Sequence, residues 1–248
     1  MIYAEVIGDP VAQSKSPAIH KAWLAACGLE GDYRATRVTP EDLAAYVTAR
    51  RADPDWRGCN ITIPHKQAII PLLDAIDSGS RAIGAVNCVH RIGDALEGRN
   101  SDIDGIAAAL DGIPLEGRKV ALIGAGGAAR AALAYLVRRK TGSITLLVRD
   151  PQKAESLREM ASTIAIFPLS EADEALSGAR LIINASPMGM DGSAAMPPAL
   201  LDAVAAHSAD AALFDMVYKP LETAFLATGR AHGGTAIDGL TMLIGQAR

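Results

Sequence analysis

A chain of 248 residues, half of them hydrophobic and few of them aromatic, has material for one large domain or two of modest size. Its formal charge of −4 is scattered rather than blocked, which leaves no basic stripe for nucleic acid. Cys27, Cys59 and Cys88 are widely spaced with no CxxC pair, and the five histidines lack metal-ligand spacing; reduced thiols in a cytoplasm and no metal site are the expectations.

The first strand is IYAEVIG, and Glu5 and Asp9 come too early for a signal peptide. In the next segment SPAIHKAWLAACG reads as a helix, with Ser16 at the N-cap, Pro17 at the first helical position and Gly28 closing it. DYRATRV reads as a second strand and TPEDLAAYVTARR as a second helix, capped by Thr39 and started by Pro40. GCNITIP is the third strand, KQAIIPLLDAI a short helix, and GAVNCVHRIGDALEGRN two strands around the turn at Gly93–Asp94. A helix in DIDGIAAALDG precedes five apolar runs: KVALIG, SITLLVR, TIAIFPL, ARLIINA and AALFDMV. Helices between them, including GAARAALAYLVRR and PQKAESLREMA, make this half a doubly wound parallel sheet. VALIGAGGAARAALAYLV is interrupted by glycines and Arg130, so no membrane span is expected. The final segment, DGLTMLIGQAR, is helical in pattern.

Three places carry chemistry. Asn60, Thr62 and Lys66 crowd an amide, a hydroxyl and an ammonium around one apolar strand, which reads either as a polar site or as a buried strand with polar edges. In VALIGAGGAARAAL, Gly124 permits a tight turn, Gly126 lets backbone approach a pyrophosphate, and Ala129 allows close helix–strand packing. This pattern is either a dinucleotide site or a tight turn without ligand. Beyond the next strand, Arg149 and Lys153 suit the 2′-phosphate of NADP whereas Asp150 suits an unphosphorylated ribose. Ser14 and Ser16 stand at a helix N-terminus, where they either hold a carboxylate or, for Ser16, merely cap.

Eight strings occur in one order: VIGDPVAQSKSPAIH, GCNITIPHK, GAVNCV, GRNSDIDG, GAGGAAR, NASPMGM, DMVYKPLET and DGLTMLIGQA. Together they resemble the shikimate dehydrogenases (shikimate/quinate 5-dehydrogenases). The resemblance implies an α/β chain of two domains with the active site in the cleft between them. Residues 1–103, joined by the C-terminal helix 238–248, would bind substrate; residues 104–237 would form a Rossmann-like dinucleotide domain. It implies Lys66 as the catalytic lysine with Asp102 its partner carboxylate. Ser14, Ser16, Asn60, Thr62, Asn87, Tyr218 and Gln246 would bind substrate. Gly124, Ala125, Gly126, Gly127 and Ala128 would form the phosphate loop. Arg149, Asp150 and Lys153 would meet the adenine ribose, and Ala185, Ser186, Met216, Gly239 and Met242 would line the rest of the cofactor.

Ketone reduction needs hydride at carbon and a proton at oxygen. Lys66 reads as the proton donor, because a neighbouring carboxylate favours the charged ammonium; Asp102 then orients and binds the substrate hydroxyl. The plain alternative is a surface salt bridge between them.

The chain departs from the family pattern at Gln13, where His is common, at Ser101 in place of Thr, and at VRDPQK, where NADP-binding members usually read Asn-Arg-Thr. It also ends soon after Gln246, where members usually continue through another helix. The expectation is reversible reduction of 3-dehydroshikimate to shikimate, with NADP as cofactor and NAD use open. The enzyme would be a cytoplasmic monomer or homodimer with a small-molecule substrate. A quinate dehydrogenase, a dinucleotide-binding sensor without turnover and a methyltransferase are the rivals; retained Lys66 and Asp102 argue against the sensor.

Overall fold

Strands covered on both faces read as unbroken apolar runs, whereas edge strands do not. Both kinds occur in the computed structural model, which describes residues 1–246 and divides into two units, residues 1–101 and 102–246. The first unit runs β1 (Tyr3–Gly8), α1 (Ser16–Ala26), β2 (Asp32–Arg37), α2 (Leu43–Ala52), β3 (Trp56–Ile61), β4 (Ala75–Ile76), α3 (Ser78–Ile83), β5 (Cys88–Ile92) and β6 (Ala95–Arg99). Its six-stranded mixed sheet has the order β2-β1-β3-β5-β6-β4. β1 lies parallel to β2 and β3, and β3–β5–β6 is antiparallel. Ile7, Trp56, Ile61, Ile69, Val86 and Leu96 form its core; full burial of such side chains is worth roughly 1.5–3 kcal/mol each.

The second unit runs α4 (Asp102–Ala109), β7 (Lys119–Ile123), α5 (Gly127–Arg138), β8 (Ser143–Val148), α6 (Pro151–Ala154), β9 (Ile164–Pro168), α7 (Ala172–Leu176), β10 (Leu181–Asn184), α8 (Pro198–His207), β11 (Ala212–Asp215), α9 (Ala224–Ala231), β12 (Thr235–Ile237) and α10 (Gly239–Gln246). All its strand pairs are parallel, and the order β9-β8-β7-β10-β11-β12 is that of a doubly wound dinucleotide fold. β7 and β10 are central, which is why Val120–Ile123 and Leu181–Ile183 have no exposed surface. α10 packs on α4 through two glycines. A Cβ on Gly105 would stand 2.5 Å from the Met242 carbonyl oxygen, and one on Gly245 would stand 2.8 Å from the Ala108 Cβ. The segment 238–248 thus groups with α4 as far as Gln246, and its last two residues lie outside those described.

Several local readings need correction. α1 starts at Ser16 with Lys15 at the N-cap, so Ser16 is its first residue rather than its cap. α2 starts at Leu43, because the Thr39 hydroxyl donates to the Asp42 carboxylate within a preceding turn instead of capping a helix. The expected helix over 66–76 is a single 3-10 turn at Ile70–Leu72 followed by β4. PQKAESLREMA is helical only over Pro151–Ala154 and continues as a 3-10 segment. Among the described residues no helix is long and apolar enough to cross a membrane.

Gly58, in β3, has φ +152°, and a Cβ there would run into the Val89 carbonyl oxygen on β5. Gly58→Ala should therefore lower unfolding free energy by on the order of 2–3 kcal/mol, read by urea denaturation. A change under about 0.5 kcal/mol, the ordinary scale of a neutral substitution, would show that β3 and β5 separate freely.

Candidate active site

β3 stops at Ile61, and the chain then turns a corner through Thr62, Ile63, Pro64, His65 and Lys66. Backbone hydrogen bonds hold the corner on several sides. Thr62 N–H donates to Ile7 O at 2.9 Å, Asp9 N–H to Ile63 O at 2.8 Å, and His65 N–H to Thr62 O at 3.0 Å. Val86 N–H donates to Lys66 O at 2.7 Å, which fixes the lysine backbone beside the segment entering β5. His65 is buried with Nε2 2.7 Å from Val38 O. A carbonyl only accepts, so Nε2 carries the hydrogen.

The same corner gathers the amides. Asn87 O accepts from Ile61 N–H at 2.8 Å and from Asn60 Nδ2 at 3.5 Å. Asn87 Oδ1 accepts from Ser101 N–H at 2.8 Å, and Asn87 Nδ2 donates to Ser101 Oγ at 3.2 Å. Asn60 Oδ1 accepts from the Tyr33 hydroxyl, and Tyr33 stacks on His20 of α1 with ring centroids 4.2 Å apart. Burial pushes the Tyr33 phenol above its ordinary range and His20 below its own, so both are neutral near pH 7. Asn60, Thr62, Lys66 and Asn87 are thus brought together, and Tyr33 and Ser101 join them. Ser14 and Ser16 are half-buried at the start of α1, where Ser16 N–H donates to Ser14 Oγ at 3.3 Å. The N-cap Lys15 makes no side-chain capping bond, so the remaining first-turn donors suit an anion. Asp102 directly follows Ser101, opens α4 and is 1% exposed.

In the second unit the glycine-rich turn, Ala185, Ser186 and Met216 lie at the carboxyl ends of β7, β10 and β11. Gly124 has φ +115°, and a Cβ on it would stand 3.0 Å from Ala185 O and 3.2 Å from Ser186 N. Gly126 is the N-cap of α5, no side chain caps that helix, and a Cβ there would meet nothing within 4 Å. This open, donor-rich turn, formed by Gly124, Ala125, Gly126, Gly127 and Ala128, fits a pyrophosphate. Gly239 presses on the next strand end, its Cβ position 2.6 Å from Met216 O, and Met242 lies buried further along α10. Tyr218 follows Met216 by two residues, and Gln246 ends α10.

Past β8, Arg149 is exposed and Asp150 caps α6. Asp150 Oδ1 accepts from the backbone N–H groups of Gln152 and Lys153 at 3.1 and 3.4 Å, and its Oδ2 lies 3.4 Å from Lys153 Nζ. The Lys153 backbone donor, its ammonium and the Gln152 donor together hold this carboxyl below the usual range. The charge that opposed Arg149 in the sequence is therefore engaged with its own helix.

Sequence patterns missed the group beneath these loops. Asp215, with no exposed surface, accepts at Oδ1 from Val217 N–H at 2.9 Å and from Asn184 Nδ2 at 3.0 Å, and at Oδ2 from the Thr223 hydroxyl at 2.6 Å. Asn184 in turn holds the loop after β10. Its Oδ1 accepts from Ser186 N–H at 3.1 Å and Ser186 Oγ at 2.7 Å, and its Nδ2 donates to Met188 O at 3.1 Å. The available signal was an apolar run, AALF, ending abruptly in Asp.

A separate groove of about 420 Å³, lined partly by Lys119, Arg180 and His207, opens at the amino ends of β7, β10 and β11. Its lysine donates to Ser177 O at 2.7 Å and its Arg180 to Asp210 O, so these cations serve the backbone. Ligands of doubly wound sheets bind at the other end. Among the described residues no cluster of three or more His, Cys, Asp or Glu could hold a metal.

Comparison with known proteins gives a consistent picture. Residues 6–89 match the model of the shikimate dehydrogenase substrate binding domain, and residues 107–189 that of shikimate / quinate 5-dehydrogenase. The shikimate dehydrogenase (NADP(+)) of Sphingopyxis alaskensis is 48% identical over 99% of this chain and 88% of its own. That of Mesorhizobium japonicum is 39% identical over 98% and 87%. The shikimate 5-dehydrogenase of Thermus thermophilus, solved in complex with NADP(H) and shikimate, superposes with a TM-score of 0.85 at 37% identity, covering all of this chain and 90% of that one.

Burial pushes Asp215 up to about 6, against an ordinary 3.8, and the bonds from Thr223, Val217 and Asn184 oppose that rise. No cation is among these partners. The folded state therefore holds the Asp215 proton more tightly than the unfolded chain does. The resulting stabilisation is full below about pH 4 and is lost as the pH rises through about 6. Relative to Asp215→Asn, which does not titrate, the native chain should lose on the order of 3 kcal/mol between about pH 4 and pH 7. Paired denaturation curves across that range check it; a pH-independent difference would count against the assignment.

Proposed function

We propose, from the premise that this chain belongs to the shikimate dehydrogenase family, that it reversibly reduces 3-dehydroshikimate to shikimate with NADPH. The observation that carries the reading is the corner after β3, where a half-buried lysine is fixed by its own backbone beside Asn60, Thr62 and Asn87. Such a cluster of donors and acceptors suits a polyhydroxylated ring and has no purpose in a bare nucleotide sensor. Residues 1–103 and the segment 238–248 serve the substrate, and residues 104–237 serve the cofactor.

NADPH, when bound, supplies the hydride that adds to the ring carbonyl carbon. The Lys66 ammonium hydrogen-bonds the carbonyl oxygen, stabilises the charge that develops there and gives it a proton. Asp102 shares the substrate hydroxyl and orients it. Ser14 and Ser16, at the start of α1, and Tyr218 are the residues we assign to the ring carboxylate. Thr62, Asn87, Asn60 and Gln246 fix the ring hydroxyls. In the reverse direction Lys66 takes the proton back.

The glycine-rich turn at 124–128 carries the pyrophosphate, and Arg149 meets the 2′-phosphate as a charge-assisted donor. Lys153, already shared with Asp150, adds less. Ala185, Ser186, Met216, Gly239 and Met242 line the nicotinamide side. We assign the chain to a reducing cytoplasm, in which its three cysteines stay thiols.

Two assays test the reading. In NADPH oxidation with 3-dehydroshikimate, Lys66→Ala should lower kcat by roughly 10²–10⁴-fold, as expected for loss of a general acid, with shikimate binding by calorimetry largely kept. No turnover in the native chain would defeat the assignment, and faster NADP⁺ reduction with quinate than with shikimate would move it to the quinate enzyme. With NADPH and NADH compared, Arg149→Ala should raise the NADPH KM about 10–100-fold, the worth of one charged hydrogen bond, and leave NADH unchanged. Asp150→Asn, which keeps the cap, should lower the NADPH KM by a few-fold. A native preference for NADH would reverse this cofactor assignment.

A further inference from the structure

We propose that Asp215 is a positioning residue for the nicotinamide half of the cofactor, acting through Asn184 and Thr223 on the loops that follow β10 and β11. The inference rests on the dehydrogenase reading and extends it to residues that make no contact with the ligand.

Ala185, Ser186, Met216 and Tyr218 sit on two loops that leave adjacent parallel strands. Main-chain bonds from Ala185 N–H to Ile123 O (2.9 Å) and from Met216 N–H to Asn184 O (3.0 Å) hold the first residue of each loop. The next donors, Ser186 and Val217 N–H, are constrained by side chains. Asp215 supplies that constraint from below. One carboxylate oxygen takes the Val217 N–H, which sets the turn bearing Met216 and Tyr218, and also takes the Asn184 amide. The other takes Thr223, whose hydroxyl accepts from Leu226 N–H at 3.3 Å and so starts α9. Asn184 passes the constraint on, because its own oxygen holds Ser186 by backbone and hydroxyl. Ser186 Oγ then accepts from Met188 N–H at 3.2 Å. Asp215, Asn184 and Thr223 are 0, 0 and 2% exposed, so water does not replace any of these bonds. Gly124, the turn that carries the phosphate loop, touches Ala185 and Ser186 only by backbone, and the 2′-phosphate side at Arg149 lies past β8. The network therefore governs one half of the cofactor and spares the other.

That asymmetry supplies the test. Asp215→Asn and Thr223→Val remove the constraint with little change of volume, and Thr223→Ser restores the hydroxyl. 2′,5′-ADP probes the adenine half, while the emission of bound NADPH probes the nicotinamide environment. We expect 2′,5′-ADP affinity to stay within twofold of the native value in every variant. In Asp215→Asn and Thr223→Val the fluorescence enhancement of bound NADPH should fall by at least half. Their kcat should fall at least tenfold, while KM for 3-dehydroshikimate stays within threefold. Thr223→Ser should recover native emission and kcat within threefold. Native emission and kcat in Thr223→Val would overturn the proposal, whether or not Asp215→Asn folds. A parallel loss of 2′,5′-ADP affinity would also overturn it, since that marks general loosening of the unit. If the native chain binds NADPH but reduces no ring ketone, the parent reading fails while the emission arm still decides the role of Asp215. If it binds no NADPH, both fall.

Discussion

Hiding a carboxyl group from water is costly unless something else solvates it, and both units of this chain do so on an interior strand. Glu5 on β1 and Asp215 at the end of β11 have no exposed surface. They are solvated differently. Burial alone would push Glu5 up, but Arg50 at 2.5 Å, Thr36 and Tyr46 bond its two oxygens, and it titrates below its ordinary value. Asp215 has only neutral donors, an amide, a hydroxyl and a backbone N–H, and burial prevails. Glu5 thereby joins β1, β2 and α2 into a fixed platform, from which the corner with Lys66 projects. Asp215 joins loops instead of elements, which places it where a modest loss of order reaches the ligand.

The two candidate half-sites also rely on different kinds of bond. Around Lys66 the positioning is done by main chain. Ile7, Asp9, Thr62, Ile63, His65, Lys66 and Val86 exchange backbone hydrogen bonds, and side chains such as Tyr33 and Ser101 orient only the amides. Substituting a side chain there changes chemistry and spares geometry. At β10 and β11 the positioning beyond the first loop residue is done by side chains, because the next donors, Ser186 and Val217 N–H, meet side-chain acceptors. A single substitution there changes geometry and leaves the chemistry intact.

This difference explains what the sequence displays. The interior strands of the second unit are legible because both faces are covered, so VALI, LLV and LII are continuous apolar runs. β12 is not, being three residues at a sheet edge, and neither is α3, a six-residue helix whose Asp77 cap resembles any loop aspartate. Helix starts were misplaced where a capping residue had a closer partner, as Thr39 did in Asp42. The glycine turn and the Asn60–Lys66 cluster are legible because their residues are adjacent in the chain. Asn184, Asp215 and Thr223 meet only after β10 and β11 pair, and no local pattern connects them.

Asp150 shows a further reason why reading charges off a sequence falls short. Beside Arg149 and Lys153 it looks like a third vote on the cofactor, cast against a phosphate. Yet aspartate is also one of the best residues for starting a helix, and Pro151 immediately after it is the residue most suited to the first helical position. Those local preferences outweigh a distant electrostatic one, since two backbone donors lie within hydrogen-bond reach. Once the carboxylate is committed to them, Lys153 follows it, and the pair contributes almost no net charge beyond its own turn. Arg149 is left as the cation whose charge nothing in that turn offsets. The local balance is therefore positive although the formal sequence adds a negative residue where the family pattern has a neutral one. What decides the charge presented to a ligand is which of its partners each side chain reaches first.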